Sequence, residues 1–172
     1  MRFRAAYPHL SSGSRVCDLG CGLEMAFLDF ADDKIAYGVG LDDQVESGTN
    51  GRWQRIHADL RGRLPLNDAQ FDHVVMLAVF EHLTDPESVL REACRILVPA
   101  GSFIMTWPAA MVDPILNALH ALNLISDEME SDEHQKRIPV DEVKRLLQRA
   151  GFHEFHHEKF ELGLNNLMVA TR

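Results

Sequence analysis

A chain of 172 residues, 46% of them apolar, can bury one sizeable core and is too short to divide readily into two. Its formal net charge of -9 argues against a broad phosphate-backbone interface, which rests on many Lys and Arg contacts, so no nucleic-acid partner is expected. No run approaches the ~20 apolar residues of a membrane span, the start MRFRAAYPHL lacks the apolar stretch of a signal peptide, and Cys17, Cys21 and Cys94 include no C-x-x-C pair. The expectation is one cytoplasmic domain, residues 1–172, with no membrane insertion, disulfide framework or metal site; the sequence is silent on oligomeric state.

Met1 to Ser14 carries Pro8 and the turn-forming run Ser11-Ser12-Gly13-Ser14, which leaves room for one helical turn or two. The stretch Arg15 to Glu24, RVCDLGCGLE, then reads as strand, tight turn and helix start. Val16 and Leu19 suit a buried strand, and Gly20 and Gly22 let the backbone turn sharply close to a ligand. A helix directly after them would aim free N–H groups at that ligand. Asp18, two residues before the first glycine, is placed to meet a cationic amine. A dinucleotide-binding turn follows G-x-G-x-x-G, whereas Gly20-Cys21-Gly22-Leu23-Glu24-Met25 has no third glycine.

The string of acid, apolar residue and Gly-Cys-Gly instead resembles the first motif of the class I S-adenosylmethionine-dependent methyltransferases. The resemblance implies S-adenosyl-L-methionine as cofactor, leaving as S-adenosyl-L-homocysteine, with Asp18, Gly20, Cys21 and Gly22 lining its site. Two departures stand out. Most members carry glycine where Glu24 stands, and a glutamate there either obstructs the cofactor or turns outward and complements the helix dipole. Relatives often cover the cofactor with an N-terminal helix, a cover that residues 1–14 leave nearly absent.

Farther along, Met25, Ala26, Leu28 and Phe30 make a brief apolar helix, and Ile35 to Leu41 a second strand closing on Asp42 and Asp43. A carboxylate at a strand's carboxyl end can accept from both hydroxyls of a ribose. The resemblance puts Asp42 in that role; the alternative is a solvated acid capping the next helix. Gly48 to Arg52 reads as a turn and Trp53 to Ala58 as a third strand. The family's acid beside the adenine amino group then falls on Asp59, with Leu60 and later Ala78 also against the cofactor.

Val74 to Ala78 has no polar residue, which suits a strand covered on both faces and hence a parallel sheet. Val79-Phe80-Glu81-His82-Leu83, followed by Asp85-Pro86, resembles a stretch of the type 11 methyltransferases. Asp85 with Pro86 is also a good helix start, and Val89, Leu90, Ala93, Ile96 and Leu97 recur at helical spacing. Ser102 to Trp107 is a fifth strand. Trp107 at its end either walls a substrate pocket or closes the core. A helix over 112–124 and an acidic stretch over 126–133 make 109–138 a variable insertion and candidate substrate lid. His134 precedes a helix bearing Val143, Leu146, Leu147 and Ala150, capped by Gly151.

Phe152 to Phe160 and Leu167 to Thr171 complete the strands, and their short connection makes them antiparallel. The sum is α/β: a doubly wound, Rossmann-like, seven-stranded, mostly parallel sheet with an antiparallel C-terminal hairpin strand. His153, His156 and His157 do not converge as metal ligands under strand alternation. The resemblance implies in-line methyl transfer to a small molecule or biosynthetic intermediate, with His82 and His134 as candidate bases. A non-catalytic relative, a binding or partner module, is the alternative. A nicotinamide-dependent oxidoreductase is disfavoured by the missing third glycine and by the hairpin.

Overall fold

The computed structural model describes residues 1–109 and 138–172. The expected helix over 112–124, the acidic stretch over 126–133 and His134 therefore lie outside the described residues. In chain order the elements are α1 (Arg2–Ala6), β1 (Ser14–Leu19), α2 (Ala26–Phe30), β2 (Ile35–Asp42), β3 (Gly48–Asn50) and β4 (Trp53–His57). They continue with β5 (Phe71–Leu77), α3 (Pro86–Ile96), β6 (Leu97–Pro108), α4 (Val140–Ala150), β7 (His153–Phe160) and β8 (Asn165–Thr171).

The described strands form one sheet in the order β3-β4-β2-β1-β5-β6-β8-β7. Strands β4, β2, β1, β5 and β6 are parallel, whereas β8 is antiparallel to both β6 and β7. The seven expected strands are present, and β3 joins them as an eighth at the edge. The Gly48 to Arg52 stretch is thus more than a turn: Asn50 pairs with Trp53 across Gly51 and Arg52, and Gly51 supplies the positive φ, 59°, of a two-residue hairpin loop. β6 also starts earlier than expected, at Leu97, with an irregular register against β5 before Ser102.

The sheet is apolar on both faces because β5 alternates between them. Val74 and Met76 pack with Val89, Leu90 and Ala93 of α3 and with Val143 and Leu147 of α4. Val75 and Leu77 pack on the other side with Ala6 of α1 and with Phe27 and Leu28 of α2. α3 starts where Asp85 accepts a hydrogen bond from the Ser88 N–H, with Pro86 in its first turn. α4 ends at Gly151 in the left-handed region, φ 105°. Among the described residues no helix is long and apolar enough to cross a membrane.

The chain runs outward from β1 through β2 to β4 and then returns to place β5 on the other side of β1. That reversal makes the carboxyl ends of β1 and β5 a topological switch point, where open α/β sheets bind ligands.

Candidate active site

Every loop that leaves a parallel strand opens on this edge, and the first is the glycine turn after β1. The N–H groups of Gly20 and Cys21 both donate to the carbonyl of Leu41, at 2.8 and 3.2 Å, which folds the turn over the end of β2. Gly20 sits at φ 78°, and a Cβ there would lie 2.3 Å from Cγ2 of Val79. Conformation and space therefore both demand glycine. The Gly22 N–H donates to Asp42 Oδ2 at 2.9 Å, while Asp42 Oδ1 accepts from the Gln44 N–H at 2.9 Å. Two backbone donors thus fix the carboxylate at the end of β2.

The helix expected directly after the glycines starts later. Met25 takes a left-handed conformation, φ 50°, and α2 begins only at Ala26 and lasts five residues. The first residues of α2, Ala26 and Phe27, nonetheless line the same cavity as the glycine turn, and the backbone donor of Gly22 is already engaged by Asp42. Glu24 stands exposed in the intervening turn, on the rim of the cavity beside it.

Three cavities adjoin along this edge. One, of about 440 Å³, is lined by Arg2, Phe3, Asp18 and Leu77 together with Gly20, Cys21 and Gly22 of the turn. Asp18 is only 3% exposed, and its pKa is pushed up to about 7, first by burial and then by the negative charge of Asp42, with Arg2 pulling the other way. Burial also raises the Cys21 thiol to about 12, with Asp18 and Asp42 adding to the effect. Cys21 is therefore a wall of the cavity and no nucleophile at neutral pH.

The second cavity, about 450 Å³, is lined by Asp42, Asp59, Leu60, His82 and Leu83, with Gly20, Ala78 and Val79 shared with the first. Asp59 is held by Arg61, whose Nε and Nη2 donate to its two oxygens at 2.9 and 2.7 Å and lower its pKa to about 2. His82 is exposed on a short 3₁₀ turn, Phe80–His82. It lines the cavity of Asp42 and Asp59.

That third cavity, about 350 Å³, is walled by Met1, Arg2, Phe3, Thr106, Trp107, Glu161 and Asn165. Ala78 lines all three cavities. It is turned to φ 59°, with its N–H toward the carbonyl and the Oγ1 of Thr106 at 3.1 and 3.2 Å. Trp107 is buried in the core, donates from Nε1 to the Ile138 carbonyl at 3.0 Å, and also touches this cavity.

The N-terminal segment corrects a sequence expectation. Far from leaving the edge bare, α1 brings Arg2 and Phe3 to two of the cavities. Lys34 holds it there, donating from Nζ to the carbonyls of Tyr7 and Leu10 at 3.0 and 2.9 Å, while Phe3 packs edge-on against Phe27. Thr106, Glu161 and Asn165 are also absent from the sequence-derived set. At the other end, His156 pairs with Glu158 and His157 with Asn166, and a register shift between His153 and Phe155 interrupts the simple alternation expected of β7.

A switch-point cleft, a glycine turn pinned to an acid on the neighbouring strand and an antiparallel strand beyond β6 together define the class I S-adenosylmethionine-dependent methyltransferase fold. The chain belongs to the methyltransferase domain family, which it matches over residues 2–157. It is 30% identical over 156 residues to a Mycolicibacterium smegmatis protein named "Probable S-adenosylmethionine-dependent methyltransferase", covering 85% of this chain and 60% of that one. It is 31% identical over 131 residues to a ubiquinone biosynthesis O-methyltransferase of Pseudomonas syringae, covering 66% of this chain and 54% of that one. The chain thus spans little more than half the length of these relatives. A solved S-adenosylmethionine-dependent methyltransferase of Mesorhizobium loti superposes with a TM-score of 0.75 at 22% identity, covering 99% of this chain and 95% of that one. Family membership implies S-adenosylmethionine as the cofactor.

Proposed function

We propose that residues 1–172 act as one methyltransferase domain that holds S-adenosylmethionine across the first two cavities and methylates a small-molecule biosynthetic intermediate in the third. The observation that carries this reading is the convergence of Asp18, Gly20, Cys21, Gly22, Asp42, Asp59, Leu60 and Ala78 on two adjoining cavities that share Gly20, Ala78 and Val79. The donor set fits the cofactor. Asp18 is a buried carboxylate whose burial no described hydrogen-bond donor offsets, which suits a cationic amine. Asp42 is oriented by two backbone donors and retains lone pairs for ribose hydroxyls. Asp59 with Leu60 offers an acceptor and an apolar face to a purine.

When bound, the cofactor supplies an activated sulfonium methyl. The protein's share is then alignment, for which Ala78 and Thr106 form the partition between cofactor and acceptor. The O-methyltransferase among the relatives favours an oxygen acceptor. Of the two features that suggested a non-catalytic module, the N-terminal one loses support because Arg2 and Phe3 reach the cleft, while Glu24 stands exposed on the rim of the first cavity.

Calorimetric titration with S-adenosylmethionine and S-adenosylhomocysteine tests the reading. Micromolar binding, about -8 kcal/mol, is expected for both. No heat and no thermal shift at millimolar cofactor would overturn it.

A further inference from the structure

The direction of β8 decides what walls the third cavity. A strand parallel to its neighbours would begin at the amino edge of the sheet, away from the cleft. β8 instead runs antiparallel to β6, pairing Asn165 with Pro108 and Asn166 with Trp107, so it begins at the carboxyl edge. The connection from β7 must arrive there too. The Ala109 N–H donates to the Leu164 carbonyl at 2.8 Å and the Leu164 N–H to the Glu161 carbonyl at 3.1 Å, tying that connection to the end of β6. Glu161 and Asn165 therefore share a cavity with Thr106, Trp107 and Ala78.

Glu161 is partly buried, and Asn165 Nδ2 donates to its Oε2. Its backbone lies at φ 52°, and Leu162 follows at φ 58°. Left-handed backbone costs a residue with a side chain roughly 1–2 kcal/mol, and such strain persists where the surroundings over-determine it, often at a working site. Phe3 and Trp107 give the same cavity aromatic walls.

We propose that Glu161 is the catalytic base for this domain, taking the proton of a phenolic hydroxyl seated between Phe3 and Trp107. This rests on the methyl-transfer reading above. The hydroxyl oxygen forms a bond to the methyl carbon as the sulfur–methyl bond breaks, and sulfur keeps that electron pair to become a neutral thioether. The hydroxyl proton passes to the Glu161 carboxylate, so a cation and an anion give two neutral groups. Bond formation at oxygen makes that proton strongly acidic, which is why a carboxylate suffices as its acceptor.

The test uses the full chain with catechol as the acceptor probe. Catechol should bind the protein saturated with S-adenosylhomocysteine, and Glu161→Ala should weaken that binding at least tenfold while leaving S-adenosylhomocysteine affinity within threefold. Glu161→Gln, which keeps shape and one acceptor oxygen, should lower kcat for catechol at least 100-fold with KM within threefold, inside the ~10²–10⁴ range of general-base catalysis. The inference is overturned if S-adenosylhomocysteine binds but catechol neither binds nor is methylated, or if Glu161→Gln keeps kcat within threefold. Absence of S-adenosylhomocysteine binding would overturn the methyl-transfer reading itself, a result distinct from either.

Discussion

Replacing Asp18 with Asn should stabilise the ligand-free protein above neutral pH while weakening its hold on the cofactor. Burial raises the folded-state pKa of Asp18 from 3.8 to about 7, so the folded state binds the proton more tightly than the unfolded chain does. Stability linked to this group is therefore fully present below pH 3.8 and is lost as pH rises to about 7. At 1.36 kcal/mol per pKa unit, the ionisation penalty grows by about 2 to 3 kcal/mol between pH 5 and pH 8. Asn has nearly the same shape and no charge, so the difference between variant and wild type should widen by that amount over this range. Urea unfolding at the two pH values measures it. Cofactor binding reports the same group from the other side: an ammonium beside the carboxylate lowers its pKa, and wild type at pH 7 should release about half a proton on binding, seen by calorimetry in buffers of different ionisation enthalpy. Asp18→Asn should release none through this group and bind roughly 10- to 100-fold more weakly, the scale of a hydrogen bond to a charged group. An unfolding difference that stays constant from pH 5 to pH 8 would refute the argument.

Asp42→Ala should weaken S-adenosylmethionine by about 1.5 to 3 kcal/mol; unchanged affinity in a folded variant, measured by calorimetry, would remove Asp42 from the site. Gly20→Ala should destabilise the protein by about 2 to 4 kcal/mol, combining the positive φ with the collision at Val79. Val79→Ala should recover only the collision, which a double-mutant cycle in urea would show as a favourable coupling of ~1 kcal/mol or more. His73 should give a pH dependence opposite to that of Asp18. Burial lowers its pKa below 6.5, and the Ser11 N–H donates to its Nε2 at 3.0 Å, which requires that nitrogen unprotonated. Stability from His73 is therefore complete above pH 6.5 and is lost on acidification through its lowered folded pKa; the charged neighbours that act on it are Asp72, which raises the pKa, and Lys34, which lowers it. His73→Gln should remove that acid-side slope in unfolding experiments between pH 5 and pH 7.5.

Much of the fold is legible in local sequence because the local signals agree with one another. Val74 to Leu77 has no polar residue because β5 is covered on both faces, and Asp85-Pro86 and Gly151 mark helix ends that the structure places where expected. β3 was harder to read because three residues carry too little pattern to be told from the turn beside them, although a glycine at the first position of a two-residue loop, here Gly51, is itself a hairpin signal. The late start of α2 has a similar cause. Leu23 and Glu24 are both compatible with a helix, and only the left-handed Met25 shows that the turn continues past the glycines.

The site divides along the same line. Asp18, Gly20, Gly22 and Asp42 were readable because each stands next to the end of a strand, so locating the strand locates the residue. Arg2, Phe3 and Glu161 were not, because they arrive at the cleft from segments whose position depends on tertiary packing. Arg2 and Phe3 reach the cleft only because Lys34 and Phe27 hold α1 down. Glu161 reaches it only because β8 lies between β6 and β7. The antiparallel hairpin was nevertheless visible in the short connection after Phe160, and it carries a consequence that sequence reasoning can use. A strand antiparallel to its parallel neighbour begins at that neighbour's carboxyl end, so its entry loop belongs to the active edge. By that rule Glu161 to Asn165 belong at the cleft, which explains why a charged residue in a hairpin connection faces the same space as Thr106 and Trp107.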